Sequence, residues 1–126
     1  MTRHALRIDI PAALWLSANA RLHWGEAARR TRALRHSASI IARGAGLAGL
    51  GLARASVTVE VHRPRAGRAD AANAAPAVKA VIDGLTDAGL WADDDDKHIT
   101  AVTYVAGAPT RRRGWYALTI TIEEEK

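Results

Sequence analysis

VTVEVHRPRAGRADAANAAPAVKAVIDGLTDAGLWADDDDKHITAVTYVA, residues 57–106, decides the fold. Val57, Val59 and Val61 alternate with Thr58, Glu60 and His62, the period of a strand with one buried face. Residues 63–73 carry Pro, Gly and three arginines before the first acid, as an exposed loop does. Asn73 is placed to cap a helix over 74–88, with Pro76 in the first turn, where a missing N–H costs little. Val78, Val81, Ile82, Leu85 and Ala88 recur at helical spacing and face a core, and Gly89 stops the helix. Trp91 and the acidic run Asp93 to Asp96 lead into a further strand over 99–106.

Outward from this centre, Leu6, Ile8 and Ile10 alternate with Arg7 and Asp9 as a first strand that ends at Pro11. Trp24, Ala27, Ala28, Thr31, Leu34, Ala38, Ile41 and Ala42 then mark one face of a long helix whose other face is basic. Four glycines in GAGLAGLG, residues 44–51, end it. On the far side, the basic turn GAPTRRRG leads to a last strand in which Tyr116, Leu118, Ile120 and Ile122 alternate. Its proximity to the 99–106 strand predicts a hairpin. The order β-α-β-α-β-β implies an α/β (α+β) fold: a single small mixed sheet of about four strands with two helices packed on it.

The chain has 126 residues, 48% of them hydrophobic, which suits a single domain over 1–126. No run of about 18 apolar residues occurs, so the expectation is a soluble, cytoplasmic protein with no membrane partner. Without cysteine there is no disulfide framework, thiolate metal site or cysteine nucleophile. The five histidines show no ligand spacing, and the serines no nucleophile motif.

Net charge is +5, and its two signs are segregated. Residues 1–62 hold nine arginines against Asp9, Glu26 and Glu60, while seven acids lie between Asp70 and Asp96. Fifteen of the 18 basic residues are arginine, whose planar fork suits phosphate. A polyanionic partner follows, with a merely solvated surface as the alternative. Four successive aspartates repel one another unless water or a cation intervenes, and hard carboxylate oxygens suit Mg²⁺ or Mn²⁺. A solvated turn is the plainer reading of the same run. Trp15, Trp24, Trp91 and Trp115 are candidates for stacking on unpaired bases, with core packing or loop anchoring the more ordinary role. Asp83 and Asp87 read as surface or capping groups, and residues 123–126 as a disordered tail.

Residues 63–98 resemble the core of the RusA family of Holliday junction resolvases, small metal-dependent endonucleases encoded largely by phages and prophages. The likeness lies in an ordered set: Arg63, Arg65 and Arg68; Asp70 and Asn73; Lys79; Asp83, Gly84 and Leu85; then Ala88, Gly89, Trp91, Asp93 and Asp94. The stretch LSANARLHW, residues 16–24, is similar to the family's entry into its first helix. The resemblance implies metal-assisted phosphodiester hydrolysis in four-way or branched DNA by a homodimer. It makes Asp70 and Asp94 the metal-binding carboxylates, with Asp93 beside them, Mg²⁺ (or Mn²⁺) as cofactor, and Lys79 as a phosphate or transition-state contact. Arg63, Arg65, Arg68 and Asn73, with Arg29 and Arg30 of the first helix, would carry the DNA. The chain departs from the family at Ala72, where a second acid is expected, and in the six-residue spacing of Asn73 and Lys79. Asp95 and Asp96 are candidates to replace the lost carboxylate. The alternative is a branched-DNA-binding protein with a degenerate metal site and no cleavage.

Overall fold

A computed structural model of the chain describes residues 2–125. Strand β1 (Arg3–Pro11) is followed by a short 3-10 turn (Ala12–Leu14), helix α1 (Trp24–Gly44) and strand β2 (Ala55–His62). A second 3-10 turn (Ala71–Ala74) runs into helix α2 (Ala75–Asp87), and strands β3 (Ile99–Ala106) and β4 (Trp115–Glu124) complete the order. The sheet is mixed and four-stranded, in the order β1-β4-β2-β3. β4 pairs antiparallel with both β1 and β2, and β2 pairs parallel with β3 through the α2 crossover. The α+β class expected from the periodicities is the observed one.

The expected β3–β4 hairpin does not form. No residue of β4 is exposed and only Glu60 of β2 is, so these two strands are covered on both faces and take the centre, whereas β1 exposes one face. β3, five of whose eight residues are exposed, takes the edge. Residues 107–114 therefore carry the chain from the β3 edge past the end of β2 to a place between β2 and β1. The acidic end is not a tail either: Glu123 pairs with Arg3 and Ser56 across the sheet, and the Glu125 N–H donates to the Arg54 carbonyl at 2.9 Å. Lys126 lies outside the described residues.

Register fixes which face is covered. Ile8 stands opposite Leu118, and Leu6 and Val59 flank Ile120, so the buried residues of three strands share one side. Leu34, Ala38 and Ala42 of α1 and Val78, Val81 and Leu85 of α2 close over it in one apolar cluster. The helices touch most closely at Gly84, where a β-carbon would stand 2.2 Å from the Arg35 carbonyl oxygen. Arg35 also grips the Asp87 carboxylate with two bonds of 2.6 and 2.8 Å. Trp91 is buried below α2 and donates its indole N–H to Thr86 Oγ1 at 2.7 Å. Trp24, expected on the core face of α1, is 79% exposed at the helix start. No helix of the described residues is long and apolar enough to cross a membrane.

Candidate functional site

The loops at the end of β2 assemble two separate stretches of arginine. The Gly107 N–H donates to the Val61 carbonyl at 3.0 Å, Thr110 N–H to Arg63 at 2.8 Å and Arg111 N–H to Pro64 at 3.0 Å. His62, 7% exposed, ties the same turn down through Nδ1 and the Ala108 carbonyl at 2.7 Å, while its Nε2 meets Thr119 Oγ1 at 2.8 Å. Because a carbonyl only accepts, Nδ1 carries the proton. A β-carbon on Gly107 would stand 2.5 Å from this ring, so glycine is needed for the close approach. Arg63, Arg65 and Arg68 are thereby gathered with Arg111, Arg112 and Arg113. Among the described residues none of the six has a carboxylate partner. Arg65, Arg111 and Arg113 line one hollow, and Arg63, Arg65 and Arg68 line another. The basic turn was legible as RRR, but not its position.

The Asp70 carboxylate does not reach across to the acidic loop. It caps the 3-10 turn by accepting the Ala72 N–H at 3.0 Å. Asn73 instead uses its backbone carbonyl to accept the Ala18 N–H at 2.8 Å, and α2 begins without a side-chain cap. The 3-10 turn before the helix displaces the cap, because its own first N–H groups need an acceptor upstream. Asp70 and Asn73 line a hollow with Trp15, Tyr116, Arg30 and Arg63. Of the two α1 arginines, Arg29 is held by Glu26 at 2.6 and 3.2 Å, and Arg30 reaches the Trp15 carbonyl at 2.8 Å.

Asp94 lies in a different hollow, with Lys79 and Asp96, between α2 and the start of β3. Lys79 Nζ sits between two carboxylates, 3.0 Å from Asp83 Oδ1 and hydrogen-bonded to Asp94 Oδ2. The ammonium holds the Asp94 carboxyl below the usual carboxylate range, and Asp94, then Asp83, raises the Lys79 ammonium above its ordinary value. The i,i+4 spacing on α2 makes Asp83 a partner of Lys79, a signal in the sequence that the surface reading passed over. The repulsion expected within the aspartate run is relieved locally. Asp93 Oδ1 accepts the Asp94 N–H at 2.8 Å, and Asp95 Oδ1 accepts from the Lys97 and His98 N–H groups and pairs with His98 Nδ1 at 2.6 Å.

The donor set fits a hard divalent cation at one place. Asp83 and Asp94 already share a single cation, the Lys79 ammonium, and Mg²⁺ takes one or two protein carboxylates with water and phosphate completing its shell. The trio Asp70, Asp93 and Asp94 is not assembled round one point. Among the described residues no three His, Asp or Glu side chains converge as ligands. The structure thus brings Asp94 to Lys79, and Asp70 to Asn73, Arg30 and Arg63, in two separate hollows. No protein-family model matches the chain, and no curated protein matches it significantly.

Proposed function

We propose that the protein is a metal-dependent endodeoxyribonuclease that binds four-way or branched DNA through the arginine patch and hydrolyses a phosphodiester near Asp94. The observation that carries this reading is the docking of residues 107–114 on Arg63 and Pro64, which brings the arginines of 63–68 and 111–113 together at the end of β2, with Arg63 also lining the Asp70 hollow. Such a patch neutralises phosphates largely without regard to sequence, which suits recognition of DNA shape. Asp94 and Asp83 would hold the cation, with Asp93 adjacent to Asp94, while Asp70, in its separate hollow, would face the bound DNA. When bound, Mg²⁺ would supply Lewis-acid stabilisation of the charge that builds on the phosphate. Lys79 has a side chain 64% exposed, so its ammonium is free to exchange Asp94 for a phosphate oxygen. The patch offsets the repulsion that the acidic loop exerts on DNA. A junction of approximate two-fold symmetry is most simply cut by a two-fold homodimer. The reading places the activity in the cytoplasm of a bacterial or phage-infected cell.

A second reading is supported by Ala72 and by the engagement of Asp94 with Lys79: a branched-DNA-binding protein that does not cut. Asp94→Asn separates the two. The nuclease reading expects wild type to nick a labelled junction in Mg²⁺ and the variant to bind it equally well without nicking. Binding with no nicks from wild type, in Mg²⁺ or Mn²⁺, would favour the second reading.

A further inference from the structure

We infer that the hollow between residues 15–20 and the 3-10 turn before α2 receives one unpaired nucleotide of the bound DNA, its base lying against the Trp15–Tyr116 pair. This rests on the DNA-binding reading above and not on cleavage. The two rings are stacked 4.3 Å apart and within 6° of parallel, and both are half-buried in the wall of a hollow of about 350 Å³. A flat aromatic surface stacks on any base, but a base inside a duplex offers only its edges, so the occupant must be unpaired.

Charge on the same walls favours a nucleotide over a neutral aromatic molecule. Arg30 has a side chain 19% exposed; its Nη1 is used on the Trp15 carbonyl, and its buried Nε has no acceptor, Glu26 Oε2 being 3.8 Å away. Buried guanidinium N–H groups are ordinarily all satisfied, so this cation is one hydrogen bond short. Arg63 and Tyr116 line this hollow and also the one formed by Arg65 and Arg68, so the cavity opens onto the patch that would hold the flanking phosphates. Asn73, Asn19 and Asp70 supply amide and carboxylate groups able to bond a base edge. The bond from the Ala18 N–H to the Asn73 carbonyl ties the two walls together, so the hollow is built before anything enters it.

The test compares three labelled duplexes by fluorescence anisotropy: one blunt, one with a short thymidine overhang, and one whose overhang carries abasic sugars of equal length and charge. Wild type is expected to bind the thymidine overhang about five- to a hundred-fold more tightly than the abasic one, the range of one or more base–aromatic contacts. Trp15→Leu should lose that preference and keep its affinity for blunt duplex, while Tyr116→Phe should keep the preference. Equal affinity for thymidine and abasic overhangs, with blunt duplex still bound, would overturn the nucleotide site and leave the DNA-binding reading standing. Failure to bind any of the three would overturn both.

Discussion

Replacing Gly84 with alanine places a β-carbon 2.2 Å from the Arg35 carbonyl oxygen and 2.8 Å from the Ala38 β-carbon. Ordinary contacts begin near 3.4 Å, so α1 and α2 must part by about 1 Å along their line of closest approach. The obstacle is helical backbone and a methyl group, neither of which can rotate aside. Overpacking of this kind costs about 1–3 kcal/mol, and alanine's better helix propensity returns at most about 1 kcal/mol. A net loss of about 1 kcal/mol is expected. For a chain of this length each kcal/mol moves the midpoint by about 4 °C, so thermal unfolding followed by circular dichroism should show Tm lower by about 4 °C. Parting the helices also strains the Arg35–Asp87 bridge, so Arg35→Ala in the Gly84→Ala background should cost less than it does alone. A Tm equal to or above wild type would refute the helix contact as described.

Trp91→Phe deletes the indole bond to Thr86 and leaves part of a buried site empty; urea unfolding should report about 1–3 kcal/mol of destabilisation, and an unchanged midpoint would contradict the buried placement. Asp87, held below the usual 3.8 by Arg35, and Asp94, held down by Lys79, have lower folded than unfolded pKa values. Their contribution is therefore present above about pH 4 and lost as pH falls through the folded values, so Asp87→Asn with Asp94→Asn should flatten the acid limb of urea midpoints measured from about pH 5 to pH 2. Lys79 runs the other way: its contribution holds below 10.5 and disappears as pH rises through its raised value, which alkaline unfolding of Lys79→Met should show as a lost slope. Changing Arg111, Arg112 and Arg113 together to alanine should reduce the slope of log affinity for DNA against log salt by nearly three, about 0.9 per phosphate contact, and an unchanged slope would remove the turn from the DNA surface.

Strand and helix positions were legible because the period-two runs at Leu6–Ile10, Val57–Val61 and Tyr116–Ile122 and the helical spacing from Val78 to Leu85 each bury one face. Strand order was not, since adjacency in sequence favours a β3–β4 hairpin while cover on both faces of β4 goes with its place between β1 and β2. The cap of α2 was misread because a 3-10 turn intervenes: Asp70 caps that turn, and α2 itself starts with no side-chain cap. Lys79 and Asp94 were singled out separately; their contact, and the share of Asp83 in it, depends on how the 93–96 loop folds back along α2. The arginines at 111–113 stood out as a run, yet their meeting with Arg63 and Arg65 is set by backbone bonds between segments 47 residues apart, which periodicity does not encode.

Cleavage of branched DNA at a site that includes Asp94 is measured most directly by incubating a labelled mobile four-way junction, and a linear duplex of matching sequence, with wild type and with Asp94→Asn in Mg²⁺, in Mn²⁺ and in EDTA. Symmetrical nicks confined to the junction, dependent on the metal and absent from Asp94→Asn, are the expected result. Junction binding with no nicks in either metal, or nicks that persist unchanged in Asp94→Asn, would contradict it.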